Sequence, residues 1–200
     1  MACRLKPKQG RDPVSTVGQI ERITQNRVIN LFQEQLEYTY LGSWETRDNN
    51  RNIEADLLRQ WLKQQGVSDT LITKTLRELH QAAALGKGQN LYDANKAVYR
   101  LLRYGVKVKE GAQQNQTVWL IDWKHSEDNN FAIAQEVTIK GENKKRPDIV
   151  LYVNGIALGI LELKRSSVAI GEGIRQNLDN QKKNFHPLLL HHPATGDGRQ

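Results

Sequence analysis

The sequence predicts an α/β or α+β domain with a mostly antiparallel central sheet, from three observations. Apolar side chains keep a three-to-four spacing over most of the first half, and the period shifts toward two after Gly105. Asn154-Gly155 joins two apolar runs, which is the strongest short-range sign of a hairpin. Helical spacing then resumes near Ile170, so the order is helix, strand, helical block, several strands, helix.

Residues 1–17 read as a flexible leader rich in Pro, Gly and basic side chains. Over 18–37 the recurrence of Ile20, Val28 and Leu31, with Ile23 alongside, predicts an amphipathic helix. "YTYLGSWET" (38–46) reads as a short strand because it is rich in aromatic and Thr residues. "EADLLRQWLKQQG", "DTLITKTLRELHQAAALG" and "NLYDANKAVYRLLRYG" then predict three helices. Gly66, Gly86 and Gly105 are their stops, and Ser68 or Asp69 caps the second. Residues 53–105 are thus a helical layer inserted within the domain.

"VKVKEG" alternates, "TVWLIDW" is strongly strand-like, and "NFAIAQEVTIKG" alternates again. Trp119 and Trp123 face one way in such a strand, and core packing is the expected role, ahead of base stacking. "GKGQN" lacks the spacing of a phosphate-binding loop and reads as a turn. His191-His192 reads as an incidental pair in the tail.

At 200 residues the chain can bury one full core, and 38% hydrophobic with 26% charged residues suits a globular protein. The net charge of +7 and pI of 9.5 favour a polyanionic partner. The single Cys3 excludes an internal disulfide and a Cys-based metal cluster. No stretch approaches the roughly 20 apolar residues that span a bilayer, and the leader lacks a signal-peptide core. The expectation is a cytoplasmic protein without a membrane partner.

The chemistry concentrates in "PDIVLYVNGIALGILELKR" (147–165). In a strand Glu162 and Lys164 share one face and Leu161 and Leu163 the other. The turn folds the strands back so that Asp148 approaches Glu162 and Lys164. Two carboxylates on rigid strands suit a hard cation such as Mg²⁺, with Mn²⁺ as the alternative and the Leu163 carbonyl as a further ligand. Lys164 then stabilises charge on a phosphodiester or positions water. The plainer reading is a surface ion pair contributing about 0–1 kcal/mol.

Pro147-Asp148 followed by Glu162-Leu163-Lys164 matches the PD-(D/E)xK nuclease motif. Beyond it, "ERITQNRVINLF", "YTYLG", "NLYDANKAVYRLLRYGV", "RPDIVLYVNGIALGILELK" and "EGIRQNLDNQKKNF" stand in the order found in one family. Over 21–185 the chain resembles the N-terminal nuclease domain of the R subunit of type I restriction enzymes. The resemblance implies a restriction-endonuclease-like core over 18–185, with a mixed central sheet flanked by helices. It also implies Mg²⁺-dependent DNA cleavage at Asp148, Glu162 and Lys164. The family's Gln-x-x-x-Tyr motif falls on Gln176, with Asn180 in place of the Tyr. A further acid on the first helix matches Glu21, or Gln25 holds its place.

Lys144, Lys145 and Arg146 precede the motif, while Arg165, Arg175, Lys182 and Lys183 follow it, a candidate track for DNA phosphates. Family members continue into an ATP-driven translocase, so ATP belongs to that motor part. Residues 186–200 depart from the family, and the expectation is a truncated, frameshifted or excised R-subunit fragment. Implied partners are double-stranded DNA and the specificity and methyltransferase subunits. The alternatives are a non-catalytic DNA-binding or subunit-docking module, and an RNA-binding module, for which the aromatic signature is missing.

Overall fold

The computed structural model describes residues 16–85, 90–112, 114–138 and 146–163. The leader, Gly86, the expected final helix and the tail lie outside these residues. Helix α1 (Thr16–Glu34) leads to strand β1 (Thr39–Ser43). Helices α2 (Ala55–Gln64), α3 (Asp69–Ala83) and α4 (Leu91–Tyr104) follow, then the short hairpin β2 (Val106–Val108) and β3 (Gln116–Val118). A 3-10 turn (Ser126–Asp128) precedes β4 (Phe131–Gln135), β5 (Ile149–Val153) and β6 (Ile156–Leu161). Among the described residues no helix is long and apolar enough to cross a membrane.

The main sheet has the order β1-β4-β5-β6. β1 pairs parallel with β4, and the other two pairings are antiparallel. The sheet is therefore mixed, as expected. Alternation gives it two apolar faces. Ile133, Ile149, Leu151, Leu161 and Leu163 pack with Val28, Ile29 and Phe32 of α1 on one face. Ala134, Val150, Tyr152 and Ile160 pack around Trp44 on the other.

The face of α1 matches the one expected only in part: Val28 packs on the sheet, but Ile23 and Leu31 do not. Ile29 is its buried residue, whereas Ile23 and Leu31 are 66% and 51% exposed. The apolar positions of α1 fill more than one face, so spacing alone did not show which one meets the sheet.

The helical layer forms as its punctuation indicated. The Ser68 hydroxyl accepts the Leu71 N–H and caps α3. Leu58, Leu62, Ile72, Leu76 and Leu79 pack with Val106, Val118 and Leu120 in a core of their own. The layer is tied to the β5–β6 turn by a bridge between Ile53 and Ile156 and by the Glu54 N–H donating to the Gly155 carbonyl (2.8 Å). Gly155 has φ +81°, and a Cβ there would lie 2.7 Å from Leu57 Cβ and 2.8 Å from the Glu54 carbonyl oxygen. A residue with no side chain is what lets α2 seat on the hairpin turn.

The strand expected over "TVWLIDW" stops at Val118. Side-chain amides take over its backbone groups: Asn154 Nδ2 donates to the Leu120 carbonyl, while Asn129 Oδ1 accepts the Asp122 N–H and its Nδ2 donates to the Asp122 carbonyl. The segment turns instead of pairing. Trp119 and Trp123 are accordingly 49% and 51% exposed, and the expectation of core packing is corrected.

Candidate functional site

The β5–β6 hairpin positions the motif. Asn154 (φ +51°) and Gly155 form the two-residue turn, and Val153 pairs with Ile156 and Tyr152 with Ala157. Beyond Leu151 the register shifts: Leu151 pairs with Gly159, Val150 with Ile160 and Ile149 with Leu161. Leu158 is the extra residue of a β-bulge and is exposed. This bulge decides the site. Strict pairing from the turn would set Asp148 opposite Leu161, whereas the observed register, continued one step, sets it opposite Glu162.

Three contacts agree with that placement. The Leu163 N–H donates to Asp148 Oδ2 at 2.5 Å, so the carboxylate of the first half-motif grips the backbone of the second. Leu161 and Leu163 both pack beneath α1, which sends Glu162, between them, to the other face. Asp148 precedes Ile149, which also packs beneath α1, and so falls on the face of Glu162.

The neighbouring strand adds a carboxylate that sequence reasoning missed. Glu136 follows β4 at φ +53°, and its N–H donates to the Asp148 carbonyl at 2.9 Å. A non-glycine residue in this region is strained, and such residues gather at functional sites. Gln25 of α1 donates through Nε2 to Glu136 Oε1 and to the Asp148 carbonyl, each at 3.1 Å. Arg146 donates through Nε to Glu136 Oε2 at 2.8 Å and through Nη1 to Glu45, the residue after Trp44. Glu45, Glu136, Asp148 and Glu162 thus collect at one end of the sheet, with Arg146 as counter-ion to two of them. Nothing in the alternating pattern of "NFAIAQEV" marks Glu136; its partners Gln25, Arg146 and Asp148 come from α1 and the start of β5.

Of the α1 candidates, Gln25 reaches the site, and the Glu21 side chain lies outside the described residues. Arg146, expected on DNA phosphate, is engaged by Glu45 and Glu136. Lys144, Lys145, Lys164, Arg165, Arg175, Gln176, Asn180, Lys182 and Lys183 lie outside the described residues. Nearer the turn of the hairpin, burial raises the Tyr152 hydroxyl pKa above its ordinary value and keeps it protonated.

Comparison with known proteins places this chain in a family. The family described as "Type I restriction enzyme R protein N terminus" matches residues 19–194. The type I restriction enzyme HindI endonuclease subunit of Haemophilus influenzae is 37% identical over 108 residues, 50% of this chain and 10% of that subunit. The SsaAORF53P endonuclease subunit of Staphylococcus saprophyticus is 25% identical over 115 residues, 58% of this chain and 12% of that subunit. The SauMSSORF170P endonuclease subunit of Staphylococcus aureus is 24% identical over 174 residues, 86% of this chain and 17% of that subunit. Matches to these relatives cover 10% to 17% of their length. With its mixed sheet and a match over 19–194, the chain belongs to the family of type I restriction enzyme R protein N-termini.

Proposed function

We propose that this domain hydrolyses DNA phosphodiesters with Mg²⁺ held at the end of the sheet, as the endonuclease part of a type I restriction system acting on foreign, unmodified DNA. The observation that carries the reading is the grip of Asp148 on Leu163, which joins the two halves of the motif. The donor set fits a hard divalent cation: among the described residues Arg146 pairs with Glu45 and Glu136, Asp148 and Glu162 stand on the adjoining strands, and all the donors are oxygens. Asp148, Glu162 and the Leu163 carbonyl would hold the ion. When bound, it would activate water and neutralise charge on the phosphate.

The chain's own residues supply the rest. The Leu163 N–H fixes Asp148 Oδ2, which turns the second carboxylate oxygen into a preset ligand. Gln25 and the Glu136 N–H hold the Asp148 carbonyl and so the start of β5. Arg146 restrains Glu45 and Glu136, lowering the repulsion among clustered carboxylates. Lys164 would stabilise the attacked phosphate, and Gln176 would contact the DNA backbone. Sequence choice, methylation and ATP-driven translocation would belong to partner subunits and to the motor part of an R subunit.

The test joins cleavage to metal binding. Supercoiled plasmid should be nicked or linearised by the purified chain with Mg²⁺ or Mn²⁺ and spared with EDTA. Glu162→Gln and Asp148→Asn should abolish cutting and weaken Mn²⁺ binding measured by calorimetry. Mn²⁺ binding that is unchanged in both variants would place the metal elsewhere and refute the reading.

A further inference from the structure

A second surface stands apart from the sheet-end site. Helix α4 carries Tyr92, Lys96, Tyr99, Arg100 and Arg103 at exposed positions. Their spacing of four, seven, eight and eleven residues from Tyr92 puts them on one helical face. The Lys96 ammonium lies 5.8 Å from the centre of the Tyr92 ring, and the Arg103 guanidinium 5.6 Å from the Trp123 ring.

The stripe runs into a cavity of about 860 Å³ lined by Arg103, Tyr104, Trp119, Trp123 and Lys124. That size lies within the roughly 300–1,000 Å³ of clefts that hold a small molecule.

The aromatic rings are presented rather than merely left over. Gly105 has φ +72°, and a Cβ there would meet Thr117 Cγ2 at 2.5 Å and Trp119 Cδ2 at 3.5 Å. The glycine lets β3 and Trp119 close against the end of α4. The Trp123 indole N–H donates to the Leu102 carbonyl at 2.9 Å, which fixes the ring by its edge and leaves a face for contact. Asp122, an acid in the lining, already accepts the N–H groups of Lys124 and His125.

Cations spaced along a helix complement a phosphate chain, and half-exposed indoles complement flat, unpaired rings. A duplex hides its base faces and leaves the indoles without partners. We propose that this surface binds single-stranded DNA, with bases on Trp119 and Trp123 and phosphates along Lys96, Arg100 and Arg103. The choice of DNA over RNA rests on the function proposed above; the surface itself does not.

The experiment uses the full chain in EDTA, so that neither metal nor cleavage contributes. A labelled oligothymidylate of about 15 nucleotides, near the upper end of known site sizes, is titrated by fluorescence anisotropy beside a duplex of equal length and an oligouridylate. The expected result is preference for the DNA single strand, with quenched tryptophan emission and affinity that falls with salt. Trp119→Ala should weaken binding by about 5- to 150-fold, the loss typical of one stacked base, and Trp119→Phe should restore most of it.

The double variant Lys96→Glu, Arg100→Glu, at two exposed positions, should weaken binding without altering the circular dichroism. Asp148→Asn should leave strand binding intact, which separates this surface from the sheet-end site. Equal affinity in the wild type and both α4-side variants overturns the proposal. So does preference for the duplex or for oligouridylate.

Discussion

Replacing Asn154 with alanine tests whether the motif-bearing hairpin is held by one buried amide. The side chain is fully buried. Its Nδ2 donates to the Leu120 carbonyl at 3.0 Å and to Asn129 Oδ1 at 2.8 Å, and its Oδ1 accepts the Asn130 N–H at 2.7 Å. Alanine removes all three bonds. Asn129 Oδ1 keeps the Asp122 N–H, so the groups left wanting are the Leu120 carbonyl and the Asn130 N–H. At about 1–3 kcal/mol for each stranded group, the loss is about 2–6 kcal/mol. Holding alanine at φ +51° adds about 1–2 kcal/mol. Domain stabilities are about 5–15 kcal/mol, so the variant should sit near the edge of folding.

Equilibrium urea unfolding, followed by circular dichroism, measures this loss directly. Asn154→Gly loses the same bonds without the backbone strain and should fall between the wild type and Asn154→Ala. Asn154→Asp keeps the acceptor but turns an oxygen toward the Leu120 carbonyl and Asn129 Oδ1, so it should not rescue. A loss below about 1 kcal/mol for Asn154→Ala, the net value of a single ordinary hydrogen bond, or full stability of the aspartate variant, would refute the reasoning.

Two further outcomes follow from the same structure. Removing Leu158 deletes only the unpaired bulge residue and preserves the pairing of Leu151 with Gly159 and of Ile149 with Leu161. The shortened chain should therefore fold and bind Mn²⁺ by calorimetry as the wild type does, and loss of binding would show that pairing does not set the site. Backbone N–H groups of His125 and Lys124 hold the Asp122 carboxyl below its ordinary pKa of 3.8. Its contribution to stability is present above that value and is lost as pH falls through the lower folded-state pKa. Carboxylate NMR titration should show the depressed value, and Asp122→Asn should remove the associated pH dependence of unfolding.

Much of the fold is legible in local chemistry. Ser68 caps α3, Gly66 and Gly105 close helices, and Asn154-Gly155 turns the hairpin, because each acts within a few residues of itself. Leu161 and Leu163 pack beneath α1 as their alternation with Glu162 indicated. The residues of the candidate site were named by the same means, as one motif and a hairpin able to fold it. The exposure of Trp119 and Trp123 was not legible, since the amides of Asn129 and Asn154, distant in sequence, end the strand they were assigned to. Nor was the gathering of Glu45, Glu136 and Arg146 around Asp148, which joins the ends of separate strands.

The sequence by itself named the residues of the candidate site, Asp148, Glu162 and Lys164, of which Asp148 and Glu162 fall among the described residues. Only the tertiary structure decided that Asp148 meets Glu162 rather than Leu161. That choice depends on a single residue, because a one-step slip carries every side chain of a strand to the other face. Leu158 is left unpaired while Leu161 and Leu163 pack beneath α1 and Ile156 bridges to Ile53. Those contacts come from distant parts of the chain, and no local pattern in the hairpin contains them.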